Sequence, residues 1–165
     1  MEVLTWLENT WLGQFIQSDA FAHPILLCFH AVGMGIVVGL VLIFDLRTLG
    51  YPKGLPLRTF QSLVGLGWIG FAMNAASGVL MFVSEASTIL FNWTFQLKLA
   101  LIALGGLSLW IMGKITASLD PLDGEVRFPP AAKVWAVISA LLWIGAIVAG
   151  RYIAYTLKPN ISLDG

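Results

Sequence analysis

Two stretches of this chain run without Asp, Glu, Lys or Arg for longer than a bilayer is thick: 25 residues from Ala20 to Phe44 and 26 from Thr59 to Ser84. A helix crosses the hydrocarbon core in about 20 apolar residues. A third run, about 96–117, has Lys98 near its start and Lys114 near its end, where long side chains reach back toward water. A fourth, about 133–155, has Arg151 in its last turns. Only helices and closed barrels satisfy every backbone group in lipid. The reading is therefore an all-α single membrane domain over 1–165, a bundle of four transmembrane helices at about 21–44, 61–84, 96–117 and 133–155.

Residues 1–19 alternate Val3, Leu4, Trp6, Leu7, Trp11, Leu12 and Phe15 with Glu2, Glu8, Asn9, Gln14 and Gln17, the pattern of an amphipathic helix in the membrane interface. No basic residue precedes Arg47, so this start lacks the positive region of a cleaved signal peptide. Gly50, Pro52, Gly54 and Pro56 break the chain after the first span, and Asp120, Pro121, Asp123, Gly124, Pro129 and Pro130 break it after the third.

Charge sets orientation and excludes one class of partner. Nine Lys and Arg balance nine Asp and Glu, so no net positive field exists for nucleic acid. The two connections on one side hold Arg47, Lys53, Arg58, Lys114, Arg127 and Lys133; the other side holds Lys98, Arg151 and Lys158. That bias expects the first set in the cytoplasm and both termini outside, in the periplasm of a bacterial inner membrane. The sequons at Asn92 and Asn160 would face outward, where a bacterium normally ignores them.

The two histidines, His23 and His30, both sit in the first span, seven residues apart. In a helix that is about 10.5 Å of rise with nearly the same facing direction, so the rings share a stripe that Met34 extends. Buried imidazole suits the axial position of haem iron, and cofactors bind inside helix bundles. Two histidines of one helix are poorly placed to clamp one iron, so a second ligand must come from elsewhere. Depth matching nominates Met73 for the His30 level and Met81 for the His23 level; a neighbour's histidine in a homo-oligomer is the other option. Arg151 and Lys98 are candidates for a haem propionate, with an ion pair from Arg151 to Glu85 as the packing alternative. A quinone would find donors in the imidazole, Asn74 and Ser77. Copper, held by His23, Cys28, His30 and Met34, is a third option, although Cys28 lies off the histidine stripe.

Other polar and small residues read as architecture. Asp45 is expected to pair with Arg58 or Lys114. Gly35 and Gly39, with Gly65, Gly67, Gly70, Gly78, Gly105, Gly106, Gly113, Gly145 and Gly150, are expected to let helix backbones approach closely. No phosphate-binding glycine loop, His-Glu-x-x-His or Ser/His/Asp set is present.

The segments His30–Gly35, Phe44–Gly50, Asn92–Lys98 and Gly150–Tyr155 resemble the signature of a family of small four-helix bacterial inner-membrane proteins of uncharacterised function. That family is distantly similar to the membrane domains of copper-resistance protein D and to four-helix membrane b-type cytochromes, which carry haem and exchange electrons with quinone. The resemblance matches His30 to a family histidine and Arg151 to the family's C-terminal arginine. It implies a haem b subunit working between the quinone pool and a periplasmic redox partner, with a cofactor-free membrane anchor or assembly subunit as the alternative. The chain departs from di-haem members, which use four histidines on several helices.

Overall fold

The computed structural model describes residues 2–117, 119 and 126–156. The expected breaks at 120–124, Lys158 and the Asn160 sequon lie outside the described residues. Among the described residues seven helices follow in order: α1 (Glu2–Glu8), α2 (Trp11–Ser18), α3 (Ala22–Leu49), α4 (Leu57–Ser84), α5 (Ala86–Ile89), α6 (Trp93–Thr116) and α7 (Pro130–Thr156). Among them α3, α4, α6 and α7 are long and apolar enough to cross a membrane, so this is a multi-pass membrane protein. They are longer than the charge-free runs because ionisable residues are absorbed at their ends.

Local chemistry explains the boundaries. Asp19 accepts hydrogen bonds from the Phe21 and Ala22 amides, both at 2.8 Å, and so starts α3. At its far end Gly50, at φ +112°, makes a left-handed cap: the Tyr51 amide donates to the Leu46 carbonyl at 2.9 Å and the Gly50 amide to the Arg47 carbonyl at 3.0 Å. The Asn92 side chain caps α6 through the Thr94 and Phe95 amides. Pro130 opens α7, where its missing N–H costs nothing.

The amphipathic start differs from one continuous helix. Thr10, with ψ 153°, caps α2 by accepting from the Gly13 amide at 3.2 Å, and its hydroxyl donates to the Leu7 carbonyl at 2.7 Å. Two short helices result, separated by a hydroxyl that satisfies both ends. They are pinned to the bundle, not merely laid on lipid. Glu8 accepts from the Ser87 amide and hydroxyl, both at 2.7 Å, and Gln17 donates to the Ser84 carbonyl at 2.6 Å. Trp6, Trp11 and Phe15 remain exposed on the opposite side.

Packing is that of a protein in lipid. Trp68, Ile69, Trp110, Leu141 and Val148 are exposed, while the interior holds Ser77, Thr94, Ser108, Ser139, Ala132 and Ala136. Small residues inside let backbones approach where no hydrophobic force presses helices together. The spans form a row: α4 packs on α3, α3 on α7 and α7 on α6. In α3–α4, a Cβ on Gly33 would meet the Asn74 nitrogen and Gly70 oxygen at 2.7 Å. In α6–α7, a Cβ on Gly105 would meet the Trp143 indole at 3.0 Å. Gly35 and Gly39, the pair suggested by their spacing, face nothing within 4 Å, as do Gly65, Gly106 and Gly113.

Asp45 departs from expectation too. It is 1% exposed, and neither carboxylate oxygen has a hydrogen-bond partner among the described residues. It faces Ser139 of α7, whose hydroxyl is equally unpartnered, rather than Arg58 or Lys114. Lys114 instead lies over the Trp110 ring. An ionised carboxylate in such a place costs several kcal/mol, and an isosteric neutral group avoids that cost. Asp45→Asn is expected to leave thermal stability unchanged or raise it by about 1 kcal/mol. A loss above about 3 kcal/mol in detergent unfolding would reveal a tight ionic partner.

Candidate functional site

Two sites of different character lie in the bundle. The first is polar and sits toward the end that carries α1, α2 and α5, here the terminal end. His30 lies eight residues into α3, about 12 Å along its axis, and is 8% exposed. Its Nδ1 is 3.0 Å from the Asn74 carbonyl oxygen and 3.2 Å from the Ser77 hydroxyl, and its Nε2 is 3.1 Å from Lys98 Nζ. The ammonium can only donate, so Nε2 accepts and the ring proton on Nδ1 donates to Asn74. Asn74 answers by donating its side-chain amide to the His30 carbonyl at 2.8 Å.

Glycine makes room for this arrangement on both sides. A Cβ on Gly78 would stand 3.1 Å from His30 Cε1, and one on Gly150 would stand 3.4 Å from Lys98 Cε and Nζ. Lys98 therefore lies across α7 to reach α3. Residues of α4 and α6 meet at the α3 imidazole, and α7 makes room for the Lys98 side chain beside it. The expectation that Lys98 extends toward water or a propionate is replaced by this inward hydrogen bond.

The remaining candidates are spread out. His23 is exposed although it shares the His30 stripe, because the stripe there has run into the first turn of α3. Met73 is at the expected depth, facing Gly33, but the imidazole meets its neighbours Asn74 and Ser77 instead. Met81, half-buried, offers its carbonyl to the Ser84 hydroxyl. Arg151 is exposed and lies over the Tyr155 ring at 5.7 Å; it forms no ion pair with Glu85 among the described residues. Cys28 is exposed, Met34 packs against Val38 and Trp143, and the described residues hold no cluster of three metal-binding side chains.

A haem fits this centre in one respect and fails in others. The Nδ1 proton held by a carbonyl is the tautomer of a metal-ligating histidine. The ligating nitrogen, however, is taken by Lys98, and the ring edge is walled by Gly78. The large cavity of the bundle is elsewhere and has no histidine in its lining. The His30 centre does not accommodate a macrocycle as arranged. Nor are His30, Asn74 and Ser77 free for a quinone, since they satisfy one another.

That cavity is the second site. α4 and α6, at the two ends of the row, do not pack along their lengths. Phe82 and Phe95 stack across at the terminal end, 5.8 Å between centroids, and below them the helices part. The resulting cleft has a volume of about 930 Å³ and aromatic walls from Phe44, Phe60, Trp68, Phe71, Trp110 and Trp143. Gln61 and Thr116 are its polar side chains. The Thr116 hydroxyl donates to the Met112 carbonyl, whereas the Gln61 amide has no partner among the described residues. Sequence reasoning missed the cleft because spacing along one helix does not disclose which helices fail to touch.

No family model, curated protein or solved structure matches the chain.

Proposed function

We propose that this protein binds a bilayer-soluble small molecule of the quinone class in the cleft between α4 and α6. The observation that carries this reading is the cleft itself. Its volume lies in the range of small-molecule pockets, about 300–1,000 Å³, and its walls combine apolar and aromatic surface with few polar groups. A packed transmembrane helix would need more room than this. Gln61, in the first turns of α4, is a donor and acceptor for a ring carbonyl, and the aromatic walls suit the ring and an isoprenoid tail. The reading keeps the quinone of the sequence analysis and moves it from His30 to the cleft.

The test uses the full chain in mild detergent. Trp68, Trp110 and Trp143 line the cleft and report directly on a quinone by fluorescence quenching. Gly106 and Gly113 also line it, with open space at their Cβ positions, so Gly106→Leu fills the cleft without a backbone clash. The variant is expected to weaken binding of decylubiquinone by on the order of 10-fold or more, at an unchanged melting temperature, for a loss of about 1.4 kcal/mol. Equal quenching in both proteins sinks the proposal. A visible spectrum after dithionite is expected to show no b-type band; a split reduced band that His30→Ala removes would return the function to haem.

A further inference from the structure

The buried side-chain polar atoms left without a partner gather in one place. Among the described residues they are both carboxylate oxygens of Asp45, the Ser139 hydroxyl and the Trp143 indole nitrogen, and all lie where α3 packs on α7. We propose that Asp45 and Ser139 form a proton-binding site, in which the aspartic acid is held neutral inside the bundle. The seam is built from two buried rows: Val41, Asp45 and Thr48 along α3, and Ala136, Ser139 and Trp143 along α7. Both rows follow the three-and-four spacing of a single helix face, so Asp45 cannot turn to water without leaving its row.

No described residue supplies Asp45 with a countercharge. Arg47 stands about 200° round α3 from it, with its Nε donating to the Leu55 carbonyl at 2.7 Å and its guanidinium 5.4 Å from the Phe128 ring centroid. Of the spans packed on α3, α4 carries Arg58 and α7 carries Lys133 and Arg151; all three are exposed and none bonds to Asp45. Lys114 of α6 lies over Trp110. Residues 118 and 120–125, outside the described residues, include no Lys, Arg or His. Thr48, one turn on, donates its hydroxyl to the Phe44 carbonyl at 2.9 Å. That leaves Ser139, a neutral group with one proton to give, against an ionised carboxylate that accepts at about four sites. A neutral acid matches it instead: the acid O–H donates to the serine oxygen, and the other acid oxygen accepts from the serine hydroxyl. A hard divalent metal ion would need about six oxygens, more than these two side chains hold. Phe44, next to Asp45, and Trp143, one turn from Ser139, line the cleft, so the site adjoins the cleft wall without depending on what the cleft holds.

Infrared spectra of the full chain in mild detergent read the proton directly, because a protonated carboxyl has a C=O stretch that an ionised one lacks. The difference between wild type and Asp45→Asn is expected to contain that stretch, and transfer to D2O is expected to shift it as the acid proton exchanges. Ser139→Ala keeps the acid in place and is expected to move the stretch to higher frequency, since the hydrogen bond to the serine is gone. This second comparison stands even if the asparagine variant does not fold. Carboxylate bands in place of the stretch overturn the proposal; if those bands also move when sodium chloride replaces choline chloride, the site belongs to a sodium ion. A stretch unmoved by D2O means a sealed proton rather than a binding site, and one unmoved by Ser139→Ala removes the serine. Either result overturns the proposal as stated.

Discussion

Gly33→Leu is expected to separate α3 from α4 and cost more than about 3 kcal/mol, whereas Gly35→Leu, two residues on, is expected to change stability by less than about 1 kcal/mol. The contrast follows from what each Cβ meets: α4 backbone at 2.7 Å for Gly33, and open space for Gly35. Backbone cannot rotate aside as a side chain can. The damage also reaches the polar centre, because the reciprocal His30–Asn74 hydrogen bonds cross the same interface. Reversible unfolding in mixed detergent micelles measures both variants. Similar losses would mean that any bulk on α3 is harmful and that the close approach at Gly33 has no special role.

The second large effect concerns the imidazole and the ammonium together. His30→Leu leaves Lys98 reaching into the bundle without its acceptor and leaves the Asn74 carbonyl and Ser77 without their ring donor. A loss of about 3 kcal/mol is expected, since removing one partner of a buried polar pair costs more than the pair contributes. Lys98→Met added to His30→Leu is expected to recover about 1–2 kcal/mol of it, because the stranded charge is gone. The sign of this coupling is the diagnostic. If the double variant is less stable than His30→Leu alone, Lys98 has a second partner that matters more than His30.

These two cases show how far the residues alone could be read. The four spans were legible because charge-free length is a one-dimensional property that the bilayer imposes directly. His30 was legible as a centre because a polar residue deep in a span must satisfy itself inside the bundle. Its partners were not, because Asn74, Ser77 and Lys98 reach it from two other helices whose relative rotation leaves no periodic trace. Gly33 and Gly35 were more legible. They differ by about 200° around the helix; Gly33 lies about 60° from His30 and Gly35 about 140°, so the histidine stripe already favoured Gly33, and the small-residue spacing of Gly35 and Gly39 pointed away from α4. Asp45 was misassigned for a related reason: a local search for opposite charges cannot foresee that α7 presents Ser139 there.

The helices are stacked at the terminal end, where Phe82 meets Phe95 and Lys98 meets His30, and the cleft occupies the other half of the bundle, above the cluster of Leu57, Val126 and Phe128. With the basic connections in the cytoplasm, as the charge bias proposes, the opening communicates with one leaflet alone. A guest dissolved in the opposite monolayer would then have to flip before it could enter, so the two faces of the membrane would be unequal sources of supply. Proteoliposomes loaded asymmetrically with a slow-flipping quinone analogue would turn that geometric asymmetry into a difference in filling rate.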